Sequence, residues 1–327
     1  MGAKVKNINF KDLFKKYNLL VLLLFFIIVA SIASENFLSA NNFMNILRAY
    51  AAPGMMAIGM TFVVLTGGID LSVGSIAALA GMISGILLSS GMPIFVAVLA
   101  AVIGGAILGT ITGIVATKFD IPLFIASLAM MVAGRGLTLL TTDGGVISGL
   151  IKIGEDGAVG KAFNFLGNGD ILGIPFAGIT WILVTLLMAY ILKYTLFGRS
   201  LYAIGGNRES AFLSGIRISL YNTLVYSISG ALAAYAGVML TSWLTVAQPT
   251  LGQGAELDAI AATVLGGTSL AGGTGGVVGT FGGVILLAII TNLFNLIGLA
   301  SYYQQIFMGV IIVVALLLNK MVIARDK

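Results

Sequence analysis

Asp70 is the acid most exposed to the question of what chemistry this chain does. It sits in Thr66-Gly-Gly-Ile-Asp-Leu-Ser-Val-Gly-Ser75, with long apolar runs on both sides. A charge beside hydrocarbon costs on the order of 3 kcal/mol unless it is paired or put to use. Two roles suit it: its carboxylate can cap the helical run Leu71 to Leu88, aided by Ser72, or it can face the path of a solute. Gly67 and Gly68 let the backbone bend there, so the two are compatible. A second polar set, Gln248, Pro249, Thr250, Gln253, Glu256 and Asp258, offers amides and carboxylates to a polyhydroxylated solute or a docking protein. Its plainer reading is a solvated loop leading into an acidic first helical turn. A third set, Asn292, Asn295, Tyr302, Tyr303, Gln304 and Gln305, carries neutral amides and aromatic faces suited to sugar hydroxyls and rings, although aromatic residues also simply anchor at membrane interfaces. Asp70, Ser72, Gln248, Asn292 and Asn295 are the path or gate candidates; Glu256, Asp258, Tyr302 and Gln304 are the candidates for meeting a docking protein. Arg135, in Gly134-Arg-Gly136, needs a partner or must reach the headgroups.

No residue set converts energy. With no cysteine and no histidine, thiol chemistry, the commonest metal ligand and the usual proton shuttle are absent. The nearest approach to a nucleotide-binding loop, Gly154 to Gly160-Lys161-Ala162, has one residue too many and lacks the hydroxyl. No chain of intramembrane acids or lysines argues for proton coupling. The solute path is driven from elsewhere.

The elements that position these residues are membrane helices. Of 327 residues, 59% are hydrophobic and 9% charged, and apolar runs of roughly 20 residues fit a hydrocarbon core about 30 Å thick. The reading is an all-α, polytopic membrane protein with ten spans at 18–34, 48–66, 72–90, 93–117, 122–142, 176–195, 220–243, 256–271, 277–298 and 302–320. Residues 1–17 and 321–327 are tails, and 143–175 is the longest external loop. This layout puts 13 of the 17 Lys and Arg residues inside and three outside, with Arg135 in a span, so both termini are expected in the cytoplasm. The net charge of +5 is therefore a topology signal and no sign of nucleic-acid binding. Two glycine ladders, Gly105/Gly109/Gly113 and Gly275/Gly279/Gly283, allow close helix packing within the subunit or between subunits. Gly67-Gly-Ile-Asp-Leu-Ser-Val-Gly74 and Gly266-Gly-Thr-Ser-Leu-Ala-Gly-Gly273 share Gly-Gly-x-x-Leu-x-x-Gly, which suggests an internal repeat.

A polar island at 196–219 interrupts this pattern. Asn207 can cap a short helix from Arg208 to Ser214, Glu209 suits its first turn, and Gly215 can supply the left-handed stop. Arg199, Gly205, Gly206, Asn207, Arg208, Glu209, Phe212 and Gly215 are the candidates for contact with a driving partner. An interfacial helix lying on lipid headgroups is the competing reading.

Thr66 to Ser75, Gly198-Arg199 with Ala203-Ile-Gly-Gly-Asn207, Leu213-Ser-Gly-Ile216, Gln248-Pro-Thr250, Glu256-Leu-Asp-Ala-Ile-Ala-Ala262, Val264 to Gly273 and Ser301-Tyr-Tyr-Gln-Gln305 together resemble the permease subunit of ribose-type monosaccharide ABC importers, within the branched-chain amino acid/sugar permease superfamily. The resemblance covers about residues 36 to 320. It implies a bacterial inner-membrane permease, two copies of which enclose the path for a monosaccharide, fed by a solute-binding protein. It also implies a cytoplasmic ATPase that holds the ATP and Mg and contacts the 199–216 loop, so no cofactor and no enzymatic site are expected in this chain. The runner-up is a self-contained secondary carrier or facilitator, which would transport on an ion gradient alone. A structural scaffold, a third class, predicts no solute-linked phenotype on deletion.

Overall fold

The computed structural model describes residues 10–310 and Val313. In chain order the helices are α1 (Phe10–Ala33), α2 (Ala40–Leu65), α3 (Val73–Ser89), α4 (Ile94–Lys118), α5 (Leu123–Leu140), α6 (Ala158–Asn168), α7 (Phe176–Tyr194), α8 (Leu196–Gly206), α9 (Arg208–Leu213), α10 (Ile218–Leu244), α11 (Ala255–Leu265) and α12 (Val277–Leu296). A further helical stretch, α13, covers 301–310. Two short strands, β1 (Asp170–Ile171) and β2 (Ile174–Pro175), pair antiparallel between α6 and α7. The fold is thus nearly all-helical, where an all-α chain was expected. The hairpin forms because Leu172 and Gly173 both take positive φ (53° and 80°), which suits a tight two-residue turn.

Among the described residues six helices, α2, α4, α5, α7, α10 and α12, are long and apolar enough to cross a membrane, and two shorter apolar helices lie at Leu19–Ala33 and Val73–Ser89. The expected span 256–271 is helical only over Ala255–Leu265, roughly 16 Å at 1.5 Å per residue. It stops at Gly266 because Gly267 takes φ 87°. The helix of the first span reaches back to Phe10, into the expected N-terminal tail. The far part of the expected span 302–320, and the tail 321–327, lie outside the described residues.

Small residues organise the packing. On α4 the buried positions include Ala97, Ala101, Gly105, Gly109 and Gly113, a stripe of period four on one face. Ile103, Ile107, Ile111 and Ile114 face outward. Large residues outside and small ones inside suit a helix whose solvent is lipid, since backbone approach replaces the hydrophobic drive. The stripe abuts α10: a Cβ at Gly109 would overlap the Tyr226 carbonyl, and one at Gly113 would meet Thr223. The central α10 packs in the same way against α3, where Gly237 meets Ala77, and against α2, where Gly59 meets Ser229. On α12, Gly279 and Gly283 face Gly266 and Ala262 at the end of α11, whereas Gly275 precedes the helix. Both ladders therefore serve contacts within this chain.

Candidate functional site

Asp70 is fully buried, as is Ser72. Its Oδ1 accepts the Ser72 amide (2.9 Å) and the Ser72 hydroxyl (2.6 Å), and its Oδ2 accepts the Ser229 hydroxyl of α10 (2.7 Å). The flanking backbone is fixed as well: Tyr226 and Ser127 both donate to the Ile69 carbonyl, and the Leu71 amide donates to Ser127 Oγ. The carboxylate thus bonds Ser72, the residue before α3, and reaches none of the free amides of the helix itself, which has no side-chain cap; it staples the break between α2 and α3 to α10. Charge-assisted bonds of this length are the strong ones.

The second polar set is set deeper than a rim. After α10 the chain turns back as an unwound stretch along α3: Ala247 lies against Gly85, Leu251 against Gly81, and Gly252 against Gly74. Eleven helical residues of α3 separate the first and last of these contacts, a descent of about 16 Å. Arg135, on α5, donates through Nη1 to the Pro249 carbonyl and to the Leu251 carbonyl (3.0 Å). This guanidinium supplies donors to a backbone that has lost its helical partners, which an unwound segment in a membrane requires. Ala247 also pairs with Ile147 of the long loop. Glu256, against Gly74, and Asp258 occupy the first turn of α11, and Gln253 and Asp258 are exposed on the subunit surface.

At the other face of the break lies the polar island. Asn207 caps α9, accepting the Ser210 amide at 2.8 Å, with Glu209 in the first turn and Gly215 at φ 81° closing it. The helix ends one residue before the expected Ser214. Phe212 and Leu213 are 69% and 78% exposed. The sequence reading missed α8, although Thr195 caps it through the Gly198 amide and Leu201 and Ile204 form its buried face. Also missed was a junction of glycines. Gly205 sits against the Leu65 carbonyl and Gly272, Gly272 against the Gly67 amide, and Gly273 against Gly206. The Gly273 amide donates to the Leu65 carbonyl at 3.0 Å. Tyr202 adds a bond from its hydroxyl to the Gly275 carbonyl (2.8 Å), and burial raises its phenol above the usual range, keeping it a donor.

The similar segments near 67 and 267 end their helices alike. Gly67 bonds back to Val64 and Gly68 to Val63; Gly267 bonds back to Val264 and Thr268 to Thr263. Both are Schellman closures. Gly67 thus corresponds to Gly267, one residue from the register suggested by the shared Gly-Gly-x-x-Leu-x-x-Gly.

The third set is largely self-satisfied. Asn292 of α12 and Asn42 of α2 exchange amide bonds at 2.8 and 2.9 Å. Gln304 donates to Asn295 (2.9 Å) and to the Leu299 carbonyl (2.7 Å), closing the α12–α13 turn. Tyr302 is exposed beside Tyr303, and Gln248 stands in the unwound stretch. Arg199 lies on α8. Among the described residues no group of three or more Asp and Glu side chains is arranged to hold a metal.

Comparison with known proteins fits this architecture. Residues 42–316 match the family described as branched-chain amino acid transport system / permease component. The ribose import permease protein RbsC of Bacillus subtilis (strain 168) is 44% identical over 98% of this chain and 97% of its own length. RbsC of Escherichia coli (strain K12) is 43% identical over 92% of each. The D-allose transport system permease protein AlsC of Escherichia coli (strain K12) is 33% identical over 98% of this chain and 95% of its own. No solved structure matches significantly. With a family match over most of its length and relatives this similar across their full span, the chain belongs to this family of transport-system permease components and is a multi-pass integral membrane protein.

Proposed function

We propose that this chain is the permease subunit of an ATP-binding-cassette importer for a monosaccharide, ribose-like in class, and that it holds no ATPase site of its own. The observation that carries the reading is the α8–α9 element. Its tip offers two exposed apolar side chains, Phe212 and Leu213, and its root is seated backbone to backbone on the loops that follow α2 and α11. Such an element receives a push from an ATPase and passes it to the two helix breaks.

In this reading the α8–α9 end faces the cytoplasm of a bacterial inner membrane and both termini lie there. The helices α1, α3 and α13, and the unwound stretch taken together with α11, join the six long helices to give ten crossings. The unwound stretch and the first turn of α11, with Gln253, Glu256 and Asp258, lie at membrane depth on the subunit surface, where lipid would not tolerate carboxylates. A second copy of the chain covers them and completes a polar path. A solute-binding protein delivers the sugar at the end bearing α6 and the β-hairpin, so the path itself needs little selectivity. ATP-driven closure moves α9 and shifts the population from outward to inward access.

The test is reconstitution. Proteoliposomes holding this chain, its ATPase and its binding protein should take up ribose only when all three are present and the ATPase can hydrolyse. Uptake by this chain alone on an ion gradient would sink the proposal in favour of a secondary carrier.

A further inference from the structure

At the α8–α9 end a cavity of about 340 Å³ opens between the first residue of α9, the α4–α5 corner and the Gly67–Ile69 loop. Small-molecule cavities start at roughly 300 Å³. Asn222 of α10 lines it, is only 1% exposed, and has both its amide nitrogen and its amide oxygen buried without a partner. A buried amide left unpaired is a standing cost. Asn42, in contrast, has its amide matched by Asn292, and Asn222 is the one side chain with both a donor atom and an acceptor atom left unpaired among the described residues.

The other polar side chains at the rim are Thr117, whose hydroxyl donates to the Gly113 carbonyl, Arg208, a donor only, and Asp120, an acceptor only, and no ion pair joins Arg208 to Asp120. A bare anion would gain from Arg208 and be repelled by Asp120. A hydroxyl group both donates and accepts, so a ligand bearing several hydroxyls suits Arg208 and Asp120 at the rim and, with a small shift of the Asn222 side chain toward the cavity, would give its amide the partners it lacks. Phe124, half exposed at the same cavity, presents an apolar ring to the C–H face of such a ligand. From this set we infer that the cavity is a binding site for a small polyhydroxylated molecule of the transported class, placed where the solute leaves.

The inference rests on the importer reading above for its choice of ligand. It gives the site a consequence: a sugar held between Arg208 of the coupling helix and the loop at Gly67 ties together two parts that must move apart or together during turnover. Accumulated product would then slow further import.

The chain alone, in nanodiscs of synthetic phosphatidylethanolamine and phosphatidylglycerol, is probed with D-ribose, D-allose and L-arabinose by saturation-transfer NMR. Because no ATPase or binding protein is present, failure of coupling leaves this measurement intact. At least one sugar should bind, and Asn222→Leu should weaken it by about tenfold or more. The same variant should raise the thermal midpoint, since it removes an unpaired buried amide, a gain that a purely structural asparagine would not give. Asp120→Asn, which keeps a residue tolerant of the positive φ (52°) at that position, should weaken binding with no change in folding. Absence of any free-sugar signal overturns the inference. So does a signal untouched by both variants, or one lost only in Glu256→Gln, which would put the sugar in the path. Binding confined to a galactosyl lipid doped into the disc would make the site a lipid site and overturn it equally.

Discussion

Asp70 has three hydroxyl and amide donors and no solvent, so the side chain that replaces it decides whether the break between α2 and α3 holds. Asp70→Leu strands the Ser72 amide and two hydroxyls and should destabilise the chain by about 3 kcal/mol or more. Asp70→Asn keeps an acceptor for the Ser72 amide, and the Ser229 hydroxyl can turn to accept from the new amide, so a loss of about 1 kcal/mol is expected with uptake retained. Denaturant titration in detergent checks both; a leucine variant as stable as the parent refutes the staple. Arg135→Gln should free the unwound stretch it holds. Because the chain has no cysteine, a Thr250→Cys probe reads this directly, and its maleimide labelling should speed up in the Arg135→Gln background. Equal labelling rates would mean that Arg135 is not the clamp. The cap expected on the helix's own amides does not form, but the tie of Asp70 to Ser72 was legible in the sequence, since a short acid just before a helix bonds the backbone locally. Its bond to Ser229, 159 residues away, was not, and neither were the partners of Arg135, because they are backbone carbonyls that any residue supplies.

Helix α9 shows the same division at the level of elements. Its limits were readable from Asn207 and Gly215, since a cap and a left-handed stop are local chemistry. Helix α8 was not read, because Gly198, Gly205 and Gly206 mask an otherwise regular face of Leu201 and Ile204. Asn207→Ala should cost about 1 kcal/mol of local stability and lower sugar-stimulated ATP hydrolysis while the chain remains in the membrane. Phe212→Asp with Leu213→Asp should go further and abolish co-purification of the ATPase, with thermal stability unchanged, as both side chains are exposed. Retained co-purification would place the ATPase contact elsewhere. Helix α11 is the opposite lesson: apolar composition over 256–271 reads as a span, but positive φ at Gly267, Gly272 and Gly273 belongs to a looped chain, and composition cannot distinguish the two.

Over the whole molecule, the membrane class and most helices follow from composition and run length, while their arrangement around α10 follows from where the glycines lie. Gly109→Leu should separate α4 from α10 and cost about 3 kcal/mol or more, since a Cβ there already overlaps backbone; native-like yield of the purified chain is the readout, and undiminished yield would contradict the packing. The junction of Gly67, Gly205 and Gly272 has a different implication. Its contacts are main chain on main chain, so at these glycines the seat beneath α8–α9 does not read side chains, and Tyr202, whose hydroxyl donates to the Gly275 carbonyl, is a side chain that it does read; under the proposed function, what distinguishes one ATPase from another then falls mainly to the outward tip. Under the proposed function, a segment from Arg199 to Arg217 taken from a relative that keeps Tyr202 and these glycines should therefore fit this seat and carry its own choice of ATPase with it, making motor and cargo path separately exchangeable parts.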